Sequence, residues 1–163
     1  MRFWICLWMV VMFTGSAWAG SAEALSHADR GKKWRVVAQY QKAIEEYEQA
    51  YQEDDRPGYL YFIAQNYERL ANTPTKTSTE VLAAKQQALA VYESFIEKAQ
   101  EGESGLDIAR HRIEPLRQEI KDLAVQVASK VDKIDQMLAE LHAIHELLLR
   151  RDCGGHATAV LAP

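Results

Sequence analysis

Residues 38–70 read AQYQKAIEEYEQAYQEDDRPGYLYFIAQNYERL. Small and aromatic residues recur in this stretch at helical spacing, in two runs separated by Asp54-Asp55-Arg56-Pro57-Gly58. The first run has Ala43, Tyr47 and Ala50, and the second has Leu60, Ile63, Ala64 and Tyr67. Short antiparallel helices nest against each other through positions of this kind. The stretch therefore predicts the middle of an array of helical hairpins.

The first nineteen residues contain the parts of a secretory signal peptide. Arg2 precedes the apolar run Phe3–Phe13, and Ala17-Trp18-Ala19 forms a small-x-small cleavage site. We therefore predict a signal peptide over residues 1–19, cleavage after Ala19, and an exported protein of the periplasm or the extracellular space. The alternative is an uncleaved membrane anchor, because Phe3–Ala19 is nearly long enough to span a bilayer.

The composition after cleavage is that of one acidic domain. Gly20–Pro163 has 144 residues, with 18 basic against 23 acidic side chains. Nucleic acid is excluded as a partner on this ground, because phosphates require clustered Lys and Arg. Cys6 would leave with the signal peptide, so Cys153 would be the single thiol and no internal disulfide would form.

The middle of the chain is predicted to form a domain of two helical hairpins over residues 26–100, after a short leader at 20–25. Ser26 and Asp29 are suited to capping the first helix. Its end is placed at Ala38-Gln39 from the repeat pattern alone, because that stretch lacks Gly, Pro and Asn, and one long helix is the alternative.

Clearer signals bound the later helices. Pro57 ends the second helix, and Thr77 with Glu80 has the spacing of a capping box at the start of the fourth. No segment alternates apolar and polar residues as a strand would, so the predicted fold class is all-α.

The C-terminal part is predicted to be one long helical segment over residues 106–150, followed by a flexible tail at 151–163. Within this segment the helix itself is expected to begin near Ile113, which places Pro115 in its first turn, where the missing amide is tolerated. Apolar residues follow at steps of three and four, a near-heptad seam with one stutter between Val127 and Val131. The seam comprises Ile113, Leu116, Ile120, Leu123, Val127, Val131, Ile134, Leu138, Leu141, His145 and Leu148. A helix of this length exceeds what four shorter helices can cover, so we expect a homodimer through residues 113–148 or a docked partner.

The hairpin pattern resembles the tetratricopeptide repeat, a helix–turn–helix unit of about 34 residues. In the first repeat the matching positions are Gly31, Trp34, Tyr40, Ala43, Tyr47 and Ala50. The expected Pro comes two residues late, as Pro57, while His27 and Arg30 replace an aromatic residue and a Leu.

The second repeat is less regular. Its first helix matches at Leu60, Ile63, Ala64 and Tyr67, and its second helix at Ala88 and Tyr92, about twelve residues late. Ala71 replaces a Gly, and Phe95 replaces the second Ala. The resemblance spans Ser26–Ala99. It implies a curved helical stack that binds a peptide or a partner protein, and it implies no chemistry.

Most of the repeat tyrosines are expected to pack in the core. Tyr51, Tyr59 and Tyr61 are instead the candidates for binding a partner, because three tyrosines around one turn exceed what a small core needs and aromatic anchors favour interfaces.

The C-terminal His and Cys residues allow two further interpretations. His142, His145, Cys153 and His156 supply four N and S ligands suited to zinc or copper, which makes a metal-binding envelope protein the alternative function. If two long helices pair in parallel, the two Cys153 thiols would instead lie at matching heights and form an intermolecular disulfide. The simplest interpretation is surface histidines beside an incidental Cys.

No catalytic motif is recognisable elsewhere in the sequence. It lacks a Gly-rich phosphate loop, a Gly-x-Ser-x-Gly elbow and a plausible Ser/His/Asp set. We therefore predict a non-enzymatic scaffold of the cell envelope, without cofactors, that binds a protein or peptide. Contact with the membrane is expected only through an uncleaved signal segment.

Overall fold

The computed structural model describes the backbone of residues 16–154 and the side chains of residues 22–151. This part of the chain forms five helices and contains no strand: α1 (Ser16–Val36), α2 (Tyr40–Glu53), α3 (Pro57–Ala71), α4 (Ser78–Lys98) and α5 (Leu106–Gly154). The predicted all-α class, a short helical array followed by a long C-terminal helix, is confirmed. The chain divides into two units after Asp122.

Helix α1 begins earlier than the sequence suggested. It includes residues 20–25, which were expected to form a leader, and Ala24 is completely buried. The small Ala24 side chain permits this close packing, whereas its neighbours Glu23 and Leu25 are exposed. Residues 1–15, which hold most of the predicted signal peptide, lie outside the described part of the chain.

A turn at Ala38 separates α1 from α2, where the sequence left one long helix as an alternative. Ala38 has a φ of 59°, its amide donates to the Arg35 carbonyl at 3.2 Å, and the Gln39 amide donates to the Trp34 carbonyl at 2.9 Å. These two hydrogen bonds form a Schellman motif, in which Gly usually occupies the left-handed position. Since Ala occupies it here, the turn has no recognisable residue signal.

The first hairpin is held by a close approach of α1 to α2. A Cβ at Gly31 would lie 2.9 Å from Cε2 of Tyr47, a side chain that is fully buried and stacked on Phe62 with ring centroids 5.2 Å apart. Only Gly leaves room for the Tyr47 ring at this distance. Around this contact lie the buried side chains of Ala28, Ala43, Ile44 and Ala50.

The second hairpin packs α3 against α4. Its buried side chains include Leu60, Ile63, Ala64, Ala88, Tyr92 and Phe95. Trp34, Tyr40 and Tyr67, also expected to pack between helices, are half-buried. At the start of α4, Glu80 accepts from the Thr77 amide at 2.8 Å and the Thr77 hydroxyl accepts from the Glu80 amide at 3.3 Å, as the predicted capping box requires. Hydrogen bonds to the Glu80 carboxylate from the Thr77 amide, the Thr77 hydroxyl and Lys76 lower the pKa of Glu80 to about 2.

The first turns of α5 complete the core of the first unit. Leu106, Ala109 and Leu116 are buried, and a Cβ at Gly105 (φ 91°) would lie 2.9 Å from the Tyr61 ring. The compact unit therefore continues to Asp122, past the boundary expected near residue 100. Because α5 begins at Leu106, Pro115 lies inside the helix, and the prediction that it occupies the first turn was wrong. Pro has no amide hydrogen, so one backbone hydrogen bond of the helix is missing there.

A chain of ion pairs joins α5 to the second hairpin. Arg112 Nε donates to Glu68 at 2.6 Å and Arg112 Nη1 donates to Glu119 at 2.8 Å, while Lys85 also pairs with Glu119. The Arg112 hydrogen bond lowers the pKa of Glu119 although partial burial opposes it. The network fixes the rotation of α5 on the first unit up to Glu119.

Candidate interaction surface

The C-terminal half of α5 exposes a continuous row of apolar side chains. Eight of them are between 50% and 66% exposed: Val131, Ile134, Met137, Leu138, Leu141, Ile144, Leu148 and Leu149. At 100° per residue they fall within an arc of about 140° on the helix. We call this set the 131–149 face.

The 131–149 face follows the heptad register predicted from the sequence. Positions a are Val131, Leu138 and His145, and positions d are Ile134, Leu141 and Leu148. The flanking g positions are Lys130, Met137, Ile144 and Arg151, and the flanking e positions are Asp135, His142 and Leu149. The sequence reasoning missed Met137, Ile144 and Leu149, although their place beside the a and d positions is a recognisable signal for a face wider than a simple seam.

The two parts of the predicted seam differ in burial. Leu116 is fully buried in the first unit, with Ile113 and Ile120 half-buried against the same core. From Val131 onward the seam residues are exposed over the described part of the chain. The first part is thus explained by packing within the first unit, whereas the second part stays exposed within the described chain.

The energetic consequence of this exposure is considerable. Fully burying a Val, Leu or Ile side chain contributes about 1.5–3 kcal/mol. Side chains that are half exposed retain on the order of 1 kcal/mol each for a partner to recover. Soluble monomers rarely expose large contiguous apolar patches, which makes the 131–149 face the candidate interaction surface of the described chain.

The three tyrosines proposed as partner contacts lie in different environments. Tyr51 is half-buried on α2, its hydroxyl accepts a hydrogen bond from Lys98, and Lys98 Nζ lies 5.1 Å from its ring centroid. Tyr59 and Tyr61 are only 7% and 9% exposed, and the Tyr61 ring lies 5.5 Å from that of Phe95. Because α3 is covered by its neighbours, these two tyrosines pack in the core, and their expected surface position was wrong.

A charged groove of about 520 Å³ lies between α1 and α2. At its edge Glu46 Oε2 makes hydrogen bonds with His27 Nδ1 at 2.7 Å and with Arg30 Nε at 2.9 Å, the second donated by the guanidinium. Burial opposes ionisation of Glu46, but these two hydrogen bonds prevail and lower its pKa. Lys42 Nζ lies 4.6 Å from the Trp34 ring centroid. His27 and Arg30, which depart from the repeat pattern, thus have a structural role in joining α1 to α2.

The predicted metal site is only partly within the described residues. His142 and His145 lie one turn apart and are exposed, whereas the Cys153 side chain and His156 lie outside the described part. Among the described residues, no group of three or more His, Cys, Asp or Glu is arranged to hold a metal ion. The four-ligand site and the Cys153 disulfide both stay predictions.

Comparison with known proteins assigns this chain to no family. The chain matches no protein-family model, no curated protein and no solved structure. None of the described helices combines the length and the apolar character needed to cross a membrane.

Proposed function

We propose that this protein is a non-enzymatic interaction module whose docking surface is the 131–149 face. The observation that carries the proposal is the exposure of Ile134, Leu138 and Leu141 along one side of α5. Buried in an interface, side chains at this spacing form the core of a helix–helix contact.

The two hairpins supply the second part of the proposal, a repeat platform similar to the tetratricopeptide repeat. Its support is the contact between Gly31 and Tyr47, together with burial of Ala43 and Ala50 at the small positions that the repeat pattern assigns. Tyr51 is the partner candidate that this platform offers, because it is not enclosed in the core.

The site of action proposed for the module is the cell envelope, reached by export. The support is the Arg2 start, the Phe3–Phe13 apolar run and the Ala17-Trp18-Ala19 site in the sequence. Intact mass of the protein recovered from its native cells tests this part. An N-terminus at Gly20 is the expected result, and an N-terminus at Met1 would contradict cleavage.

A pair of matched variants tests the docking surface. Leu141→Asp places a charge in the 131–149 face, whereas Ala139→Asp places the same charge on the exposed opposite side of α5. Tagged protein is purified from native cells that also contain an untagged copy. We expect the unaltered chain and Ala139→Asp to recover a partner in stoichiometric amount. That partner is either the untagged copy or another chain. We expect Leu141→Asp to recover no such partner.

The helicity of both variants, measured by circular dichroism, serves as the control for folding. Equal recovery with Leu141→Asp and Ala139→Asp, or no stoichiometric protein with the unaltered chain, would refute the proposal.

A further inference from the structure

We infer that the 131–149 face is occupied by a second copy of this chain, aligned in parallel and in register. This inference rests on the docking function proposed above and adds the identity and the orientation of the partner. It follows from how the residues flanking the face would meet in each orientation.

A parallel pair brings matching residues together on both flanks. In this geometry a g residue faces the e residue five positions later in the other helix. Lys130 then faces Asp135, Met137 faces His142, and Ile144 faces Leu149. The first pair joins opposite charges and the third joins two apolar side chains that are 57% and 51% exposed in the single chain. None of the three combinations is repulsive.

An antiparallel pair gives a poorer match. When Leu138 of one helix packs against Leu141 of the other, the g positions face each other and Lys130 meets Arg151. Two-fold symmetry repeats this like-charge contact at the other end of the same flank, while on the second flank the e positions face each other and Asp135 meets His142. Like charges placed opposite each other are destabilising, so the flanks favour the parallel arrangement.

His145 further restricts the alignment. It occupies an a position between the Leu141 and Leu148 layers, so in a parallel pair in register it faces His145 of the second copy. A shift by one heptad would set it against Leu138 and bury a polar ring without a polar partner. A single polar residue at an a position selects register in this way, at a cost in stability.

Engineered disulfides test the orientation directly. The full chain, with Cys6→Ser and Cys153→Ser, is purified in mild detergent because Phe3–Phe13 is apolar. Leu141→Cys and Leu138→Cys are then oxidised separately and as a mixture. Facing residues in a parallel pair lie within disulfide reach, so each variant alone is expected to form covalent dimers.

The other results of this experiment each overturn the inference. Covalent dimers formed only in the mixture would establish the antiparallel arrangement. No covalent dimer in any sample would mean that a second copy does not occupy the face. If the partner recovery is still lost in Leu141→Asp in that case, the proposed docking function stands and only the identity of the partner is wrong.

A charge exchange gives an independent test with a matched control. Lys130→Glu and Asp135→Lys each create two like-charge contacts in a parallel homodimer, and each is expected to weaken self-association about tenfold. Mixing the two variants restores opposite charges on both flanks, so the mixture should recover the original affinity. Asp132→Lys, which makes the same charge change as Asp135→Lys at an exposed position on the opposite side of α5, should leave the affinity unchanged.

Sedimentation equilibrium supplies these affinities. Equal weakening by Asp135→Lys and Asp132→Lys, or a mixture no tighter than its separate components, would contradict the parallel pairing.

Discussion

Replacing Gly31 by Ala tests the contact that holds the first hairpin together. The added Cβ would lie 2.9, 3.0 and 3.1 Å from Cε2, Cδ2 and Cζ of Tyr47. The ring has little freedom to withdraw, because Tyr47 is fully buried and stacked on Phe62. Overpacking of a core usually costs about 1–3 kcal/mol, and the rigid surroundings place this site in the upper part of that range.

The helix propensity of Ala partly offsets this cost. A Gly to Ala change inside a helix gains about 1 kcal/mol, so the expected net loss for Gly31→Ala is about 1–2 kcal/mol of unfolding free energy. The matched control is Gly58→Ala in α3, where the new Cβ meets only Glu103 Oε1 at 3.5 Å. We expect this control to stabilise the protein by about 0.5 kcal/mol.

Urea denaturation followed by circular dichroism measures both variants. Gly31→Ala should unfold at a lower urea concentration than the unaltered chain, and Gly58→Ala at an equal or higher one. If Gly31→Ala were as stable as Gly58→Ala, the close approach of α1 to Tyr47 would be refuted, and with it the main support for a repeat-like hairpin.

Three further predictions concern the turn, the cap and the ion-pair network. Ala38→Gly should raise the unfolding free energy by about 1 kcal/mol in urea denaturation, because Gly adopts the left-handed conformation without strain. Thr77→Ala should lower the unfolding free energy by about 1 kcal/mol through loss of the capping box. Thr77→Ser should retain most of the stability that the capping box contributes. Since the pKa of Glu119 lies below its usual 4.5 in the folded state, its pairing with Arg112 and Lys85 stabilises the fold fully above pH 4.5 and progressively less as the pH falls below it. Glu119→Gln should therefore flatten the loss of stability below pH 4.5 in acid titrations, and an unchanged pH slope would count against the network.

The success of the sequence reasoning depended on whether a local signal existed. The Thr77 and Glu80 capping box was recognisable because both partners lie within one turn. The heptad steps after Ile113 likewise identified the seam of α5. In contrast, the turn at Ala38 uses Ala where Gly is usual, so its position was inferred only from the repeat pattern.

The errors came from properties that depend on distant parts of the chain. Tyr59 and Tyr61 are buried because α2, α4 and the start of α5 cover α3, and no local pattern reveals that coverage. Pro115 was expected to start α5, but Gly105 already ends the preceding turn and the helix begins at Leu106. The pairing of His27 with Glu46 joins residues on different helices, for which the sequence offered no signal.

The most direct test of the account is the mass of the full chain in solution. Sedimentation equilibrium in density-matched mild detergent would measure it for the unaltered protein, for Leu141→Asp and for Ala139→Asp. We expect twice the chain mass for the unaltered protein and for Ala139→Asp, and a single chain for Leu141→Asp. The proteins are measured at about 0.1 mM, well above typical dissociation constants of specific dimers. A single-chain mass for all three would contradict self-association through the 131–149 face.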